Sequence, residues 1–113
     1  MDKTVEPLER EAELLKAIAH STRLALLETL SEDEECVCHL SYLLNKPQPY
    51  ISKQLAELRE AGLVLNRRDG MRIFYRLADP RVASLLEDAR VLTGRRAVTG
   101  RRNLPGCPCP RCG

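Results

Sequence analysis

Residues 40–77 read LSYLLNKPQPYISKQLAELREAGLVLNRRDGMRIFYRL and determine the fold. Leucines at helical spacing run up to Asn45, a residue type that tolerates the left-handed conformation in which helices often end. A second helix starts near Gln48, because proline is tolerated in a first turn, and Gly62 ends it. Two β-prone runs then flank Asp69-Gly70, a step typical of tight hairpins. A short helix, a second helix and a hairpin in this order predict a winged helix-turn-helix.

Amphipathic helices are predicted on both sides of this stretch. Apolar residues recur at helical spacing over residues 8–19 and 24–30, and Ser21 or Thr22 can cap the second of these helices. A last helix with an apolar stripe ends at Gly94. We therefore expect a mainly α fold with a small β-hairpin, in the element order α-α-α-α-β-β-α.

The chain of 113 residues has the length of a single domain with a tail of different composition. Residues 1–94 are predicted to form a winged helix-turn-helix domain that binds DNA and dimerises. Residues 95–113 carry paired arginines, prolines and three cysteines, and are predicted to be a flexible, basic tail. A domain this short has little core for both its first and last helices, so a partner subunit would help it.

Charge is divided unevenly along the chain, although the formal net charge is only +2. Residues 1–36 carry ten acidic and four basic side chains, whereas residues 37–113 carry six acidic and fourteen basic ones. A basic majority confined to one part favours a surface that faces a polyanion such as double-stranded DNA. An ordinary solvated face is the alternative, and the helix-turn-helix pattern argues against it.

Candidate DNA contacts follow from the second helix and the hairpin. A helix of this kind fits the major groove, where glutamine can read adenine and lysine or serine can hold a phosphate or a base. Arginines near a hairpin tip suit phosphate or minor-groove contacts. The predicted DNA-binding residues are Gln48, Tyr50, Ser52, Lys53 and Gln54 on the helix and Arg67, Arg68 and Arg72 on the hairpin. The alternative is a solvated surface helix beside a charged hairpin.

Composition also bounds the class of protein. The chain has no apolar run of membrane length and a charged N-terminus, so we expect a cytoplasmic protein without a membrane partner. In a reducing compartment, cysteines are more often metal-binding or redox-active than paired in structural disulfides. No phosphate loop or nucleophile–base constellation is present, and the chain has only two histidines. An enzyme with an organic substrate is therefore not expected.

Four successive motifs resemble those of one protein family. They read LKAIAHSTRLALLETL (15–30), CVCHLSYLLN (36–45), YISKQLAELREAGLV (50–64) and RRDGMRIFYRL (67–77). Together they resemble the ArsR/SmtB family of metal- and thiol-responsive winged-helix repressors, over about residues 8–92. The resemblance implies a homodimer joined through its first and last helices. It also implies binding to an inverted repeat in double-stranded DNA, and release when an inducer binds.

The pair Cys36-Val37-Cys38 resembles the soft-metal motif of that family, which lies at the start of the first helix of the helix-turn-helix. Residues two apart on a regular helix point about 200° apart, so both thiolates can hold one ion only if the helix start is unwound or distorted. A core position for Cys38 is the structural alternative. His39 is either an additional imidazole ligand or, as we favour, a residue satisfied in the dimer interface.

Three further cysteines, Cys107, Cys109 and Cys112, lie in the tail, where prolines stiffen the intervals between the thiols. Three thiolates suit the pyramidal coordination of arsenite, and three or four suit cadmium, lead or zinc. The thirteen residues from Gly94 to Cys107 span about 40 Å when extended. The tail thiols are therefore predicted to join the helix-start pair of the same subunit or of its partner, and a separate zinc site in the tail is the alternative.

The sequence thus predicts a DNA-binding transcriptional repressor whose inducer binds cysteine thiolates. The predicted metal ligands are Cys36, Cys38, Cys107, Cys109 and Cys112. Thiolate-only ligation favours arsenite, Cd(II) or Pb(II), with Zn(II) as a further candidate. The alternative is a redox or reactive-sulfur switch in which Cys36 or Cys38 forms a crosslink with a tail cysteine.

Overall fold

The computed structural model describes residues 5–96, so the predictions for the tail cysteines lie outside the described residues. A short 3₁₀ turn, Glu6–Leu8, precedes five helices and three strands. These are α1 (Glu9–Ile18), α2 (Ser21–Leu30), β1 (Glu35–Cys36), α3 (Val37–Leu44), α4 (Gln48–Glu60), β2 (Val64–Asp69), β3 (Arg72–Leu77) and α5 (Arg81–Thr93). The predicted order of helices and hairpin is confirmed, and β1 is an addition that the sequence pattern did not predict.

The sheet has the strand order β1-β3-β2, and both strand pairs are antiparallel. β2 and β3 form the predicted hairpin around the Asp69-Gly70 step, in the register Asp69 opposite Arg72. The two-residue strand β1 pairs with the other edge of β3, with Cys36 opposite Phe74. The segment that leads into α3 is therefore part of the same sheet as the hairpin.

The core lies where α2, α3 and α4 meet the sheet. Its members are apolar side chains whose spacing follows one face of each helix, and the fully buried ones are Leu26, Leu27, Leu40, Ile51, Leu55 and Leu58. Burial of a leucine of this kind contributes about 1.5–3 kcal/mol to the free energy of unfolding. The core therefore fixes α3 and α4 as one helix-turn-helix unit.

Helix ends occur where the sequence predicted them. Asn45 follows α3 in the left-handed conformation with φ 54°, and Gly94 follows α5 with φ 74°. Capping of α2 is different from the prediction, since no side chain caps its first turn. The Thr22 hydroxyl instead accepts a hydrogen bond from the Tyr50 hydroxyl at 3.2 Å. Thr22 therefore links α2 to α4 and does not cap the first turn of α2.

Two surfaces of the domain carry apolar side chains without cover from the described chain. On the N-terminal side, Leu8 and Leu15 are about half exposed, at 51% and 50%. At the end of α5, Val91 is 71% exposed and Leu92 is 87% exposed. Apolar side chains exposed together on two helices are typical of an interaction surface.

Candidate functional site

α4 presents one polar face to solvent because its apolar residues face the core. Gln48, Ser52 and Lys53 are exposed at the start of the helix, as predicted. Tyr50 is half-buried, and its hydroxyl is bonded to Thr22. Side chains near the N-terminus of such a helix are those that reach base edges when it enters a major groove. The first two turns of α4 therefore provide the candidate reading surface.

Gln54 does not belong to that surface, so the prediction that it contacts DNA is wrong. Its side chain is 6% exposed, and its carbonyl oxygen accepts a hydrogen bond of 2.8 Å from Arg23 Nε. Arg23 also donates to the Ala17 backbone oxygen at 3.2 Å and approaches Glu57 within 3.4 Å. Gln54 therefore helps to join α1, α2 and α4.

The hairpin arginines occupy three different environments. Arg68 is exposed on β2, and Arg72 is half-buried on β3. Arg67 Nε and Nη2 donate to the two carboxylate oxygens of Glu34 at 2.8 and 2.6 Å, and the guanidinium lies 4.6 Å from the centre of the Phe74 ring. The hydrogen bonds to Glu34 raise the pKa of Arg67. The sequence gives no sign of this role for Glu34, since nothing local signals a partner 33 residues away.

The thiols of Cys36 and Cys38 are adjacent, with their Sγ atoms 3.0 Å apart. Cys36 lies in β1 and directly precedes α3, with an extended backbone at φ −84° and ψ 158°. The relation of 200° between residues two apart applies only inside a regular helix. The condition that the helix start be unwound is met, because α3 begins only at Val37 and the extended backbone at Cys36 turns its thiol towards Cys38.

A cavity of about 300 Å³ opens beside the two thiols. Besides Cys36 and Cys38, its lining includes Gln48 and Ser52 from α4, and Met71 and Arg72 from the hairpin. Candidate DNA contacts on both the helix and the hairpin thus share one cavity with the thiol pair. A group bound to the sulfur atoms would therefore lie in the cavity that Gln48, Ser52 and Arg72 also line.

His39 is buried in the subunit itself, so its predicted place in a dimer interface is wrong. Its Nδ1 lies 2.6 Å from Glu35 Oε1, and both side chains are completely buried. Within residues 5–96, no three His, Cys, Asp or Glu side chains gather into a group that could hold a metal ion. The described residues of one subunit therefore supply no third protein ligand that completes a metal site with Cys36 and Cys38.

A solvent-facing helix after a short turn, packed beside a basic hairpin, defines a winged helix-turn-helix DNA-binding protein. Residues 20–65 match the family described as "Bacterial regulatory protein, arsR family". The HTH-type transcriptional repressor SmtB of Mycobacterium tuberculosis is 39% identical over 93 residues, which cover 82% of this chain and 69% of that protein. The chain belongs to the ArsR/SmtB family of winged helix-turn-helix transcriptional repressors. This family consists of DNA-binding regulators and not of enzymes.

Two further proteins are similar to this chain. The arsenical resistance operon repressor of Escherichia coli is 48% identical over 67 residues, covering 58% of this chain and 57% of that protein. The homodimeric winged helix-turn-helix DNA-binding domain of Mb0332 from Mycobacterium bovis has a TM-score of 0.73 and 31% identity. It covers 83% of this chain and 87% of that one. In the part of the chain that the structure describes, no helix is long and apolar enough to cross a membrane.

Proposed function

We propose that this repressor leaves its DNA when a thiophilic metal or metalloid ion binds Cys36 and Cys38. The observation that carries the proposal is the 3.0 Å distance between the two sulfur atoms, beside a cavity that Gln48 and Ser52 of α4 also line. Thiolates are soft ligands and select soft ions over nickel or cobalt. The similarity to an arsenical resistance repressor supports arsenite, and Cd(II), Pb(II) and Zn(II) are the other candidates.

Coupling between inducer and DNA follows from the position of Cys36. Its strand pairs with β3 of the hairpin, and the next residues begin α3 of the helix-turn-helix. An ion that binds Cys36, Cys38 and a third ligand would move the segment that connects the hairpin to α3. A coupling free energy of about 1.4 kcal/mol changes DNA affinity tenfold, so a small shift is enough.

The third and fourth ligands are proposed to come from Cys107, Cys109 and Cys112. Arsenite takes three thiolates and cadmium or lead three or four, whereas the described residues bring only two thiols together. Cys107 lies thirteen positions after Gly94, a reach of about 40 Å when extended. The tail of either subunit can therefore meet the pair.

DNA binding is proposed to require a homodimer on an inverted repeat. The exposed apolar residues of the N-terminal segment and of α5 need a cover, and a second copy supplies the same surfaces by symmetry. The related Mb0332 domain is homodimeric. Gln48, Ser52 and Lys53 are the proposed major-groove contacts, with Tyr50 beside them. Arg67, Arg68 and Arg72 of the hairpin are proposed to contact the DNA backbone or the minor groove.

The second candidate function is a thiol switch, favoured by the accessibility of Cys38, which is only partly buried. In this mechanism Cys36 or Cys38 and a tail cysteine are oxidised to a disulfide by a persulfide. The two thiols lose two electrons and two protons, and the persulfide is reduced to a thiol and hydrogen sulfide. The crosslink would distort the start of α3, as an ion would, but only a reductant would reverse it.

The test is fluorescence anisotropy of the full chain on its own upstream DNA in a phosphine reductant. Arsenite, Cd(II), Pb(II) and Zn(II) are titrated separately, and a persulfide donor is added in unreduced buffer. Release by an ion, reversed by a chelator, supports the ion sensor, whereas release only by the persulfide, reversed by reductant, supports the thiol switch. The variant Cys36→Ser/Cys38→Ser should bind DNA but ignore the inducer. A full response from this variant would contradict the proposal.

A further inference from the structure

One arginine side chain, that of Arg23 on α2, contacts two other helices at the same time. Its Nε donates to Gln54 Oε1 on α4 at 2.8 Å, and its Nη1 donates to the Ala17 carbonyl oxygen on α1 at 3.2 Å. Its Nη2 lies 3.4 Å from Glu57 Oε1, also on α4, and the side chain is only 16% exposed. A mostly buried guanidinium therefore connects the first helix to the helix that carries the reading surface.

The first helix has little other support from the domain. α1 ends at Ile18, and the chain leaves the helical conformation at Ala19, with φ −75° and ψ 68°, and at His20 before α2 begins. Within α1, all of whose residues the structure describes, Ile18 alone is buried. Apolar packing therefore secures mainly the last turn of α1, and the bond from Arg23 to the Ala17 carbonyl bridges the break between the two helices.

The two ends of this bridge differ in how firmly the core holds them. The Ala17 carbonyl is one of the last four of its helix, which have no partner inside the helix, and an arginine is well suited to bond to such a group. α4, in contrast, is fixed in the core through Ile51, Leu55 and Leu58, all of them fully buried. The orientation of α1 relative to α4 therefore depends on Arg23 more than on apolar contacts.

We propose that Arg23 is a positioning residue that fixes the angle between α1 and α4 and thereby sets the spacing of half-sites that the dimer accepts. The inference rests on the proposed homodimer on an inverted repeat and is independent of the proposed inducer. Leu8 and Leu15 are half exposed and belong to the surface that a second copy is proposed to cover. An angle fixed within each subunit then fixes the separation of the two α4 helices across the dimer.

The geometry of DNA makes this separation measurable. Half-sites of a dimeric helix-turn-helix protein lie about 34–36 Å apart, which is one turn of about 10.5 base pairs. One inserted base pair moves the second half-site by about 3.4 Å and rotates it by about 34°. A dimer with rigidly placed α4 helices can follow this change only by deforming the DNA, which costs free energy. A dimer in which α1 can rotate against α4 follows it at a lower cost.

The experiment measures anisotropy without inducer on two duplexes, the protein's own upstream operator and the same operator with one base pair inserted at its centre. We expect wild type to bind the inserted duplex about 30-fold more weakly, and Arg23→Lys only about threefold more weakly. Lysine keeps a positive charge beside Glu57, but its single nitrogen cannot meet the three acceptors that arginine reaches. Arg59→Lys, the same exchange at an exposed position of α4, is the matched control and should behave as wild type.

The ratio of the two affinities separates positioning from a general loss of stability. A variant that is only less stable loses affinity for both duplexes by the same factor, so its ratio stays at the wild-type value. Gln54→Ala removes one of the contacts of Arg23 and should lower the ratio about twofold. Urea denaturation and analytical ultracentrifugation verify folding and dimerisation, which Arg23→Lys should retain, because Arg90 at 3.0 Å and Arg95 at 3.1 Å still join α5 to Glu28 on α2.

Each outcome supports or overturns the inference. A ratio that stays at the wild-type value in both Arg23→Lys and Gln54→Ala overturns it and leaves the proposed dimer in place, as does a wild-type dimer that binds both duplexes equally. If Arg23→Lys does not fold, the ratio for Gln54→Ala decides. A wild-type protein that binds its operator as a monomer contradicts the proposed homodimer and the inference together. None of these results depends on release by an ion or a persulfide, because no inducer is present.

Discussion

Glu34 holds Arg67 through two hydrogen bonds, although the two residues lie on different elements. Glu34 is part of the loop that leads into β1, and Arg67 is on β2 of the hairpin. The guanidinium also covers the Phe74 ring, whose residue pairs with Cys36 on one side and with Arg67 on the other. The Glu34 carboxylate thus pairs with the positive charge of Arg67, which the hairpin would otherwise offer to a DNA phosphate.

Glu34→Gln should strengthen DNA binding at low salt, because Arg67 then contacts a phosphate without leaving a carboxylate. The plot of the logarithm of affinity against the logarithm of salt concentration should steepen by about 0.9 for one added phosphate contact. Anisotropy over a range of salt concentrations measures this slope. Glu32→Gln removes the same charge from an exposed position in the same loop and is the control. An equal effect of both substitutions would show that only the net charge matters.

Gln54→Ala should lower the stability of the fold, whereas Gln48→Ala should weaken specific DNA binding. Removal of the buried Gln54 amide takes a hydrogen bond from Arg23 and should lower the free energy of unfolding by about 1 kcal/mol. Gln48 is exposed, so its loss should leave stability unchanged and weaken specific DNA binding by about 1 kcal/mol or more. Urea denaturation and anisotropy measure the two quantities. A stability loss confined to Gln48→Ala would contradict the placement of both side chains.

His39→Ala should be strongly destabilising, by about 2 kcal/mol or more, because it removes a fully buried hydrogen bond to Glu35. His20→Ala is the control, since His20 is only half-buried and its Nδ1 has no hydrogen-bond partner among residues 5–96. Chemical denaturation followed by circular dichroism compares the two variants. Equal losses of unfolding free energy in the two variants would mean that the hydrogen bond between His39 and Glu35 does not stabilise the fold.

The start of α5 should lose stability in acid. Hydrogen bonds from the side chain and the backbone of Arg81 lower the pKa of Asp79 to about 2, from an ordinary value of 3.8. The unfolded chain therefore takes up the proton first as the pH falls. The contribution of Asp79 is complete above the ordinary pKa and is lost as the pH falls towards 2. The difference in unfolding free energy between wild type and Asp79→Asn should approach zero over this pH range. In a separate carboxyl NMR titration, Arg81→Met should raise the pKa of Asp79.

Leu92→Glu should convert the proposed homodimer to a monomer. The side chain is 87% exposed in the single chain, so the substitution leaves the folded subunit intact but places a charge in the proposed interface. Analytical ultracentrifugation measures the mass, and anisotropy should show weaker DNA binding. Met71→Gln, at the 93% exposed hairpin tip, is the matched control and should stay dimeric. An unchanged mass for Leu92→Glu would place the interface elsewhere.

Features with a local cause were predictable from the sequence. Asn45 and Gly94 end their helices because their own backbone conformations are left-handed, and Asp69-Gly70 forms a turn between two β-prone runs. Strand β1 was missed because a two-residue strand has no pattern of its own and exists only through its pairing with β3. The burial of Glu35 was missed because a carboxylate side chain is ordinarily exposed to solvent. The one local signal for its burial is His39, four residues further along.

The candidate site was predictable in its residue types but not in its geometry. The Cys36-Val37-Cys38 motif indicated a thiol pair, and helical periodicity allowed both thiolates to hold one ion only if the helix start was unwound or distorted. The extended backbone at Cys36 meets that condition through a strand, which the local pattern did not predict. Gln54 was assigned to the DNA-contacting face, although its spacing of three residues from Ile51 and four from Leu58 places it on the buried side of α4. Its partner Arg23 lies 31 residues earlier in the chain. Contacts between distant segments leave no trace in a local pattern.

At the short strand β1, different atoms of Cys36 bind the ligand and connect the site to the hairpin. Pairing with Phe74 uses only the backbone of Cys36, whereas any ligand is bound by its side chain. Exchange of the side chains at positions 36 and 38 therefore alters which compound is recognised while the link to the hairpin is retained. A library of substitutions at these two positions would give biosensors for new compounds on one unchanged scaffold, and natural selection can diversify such regulators by the same route.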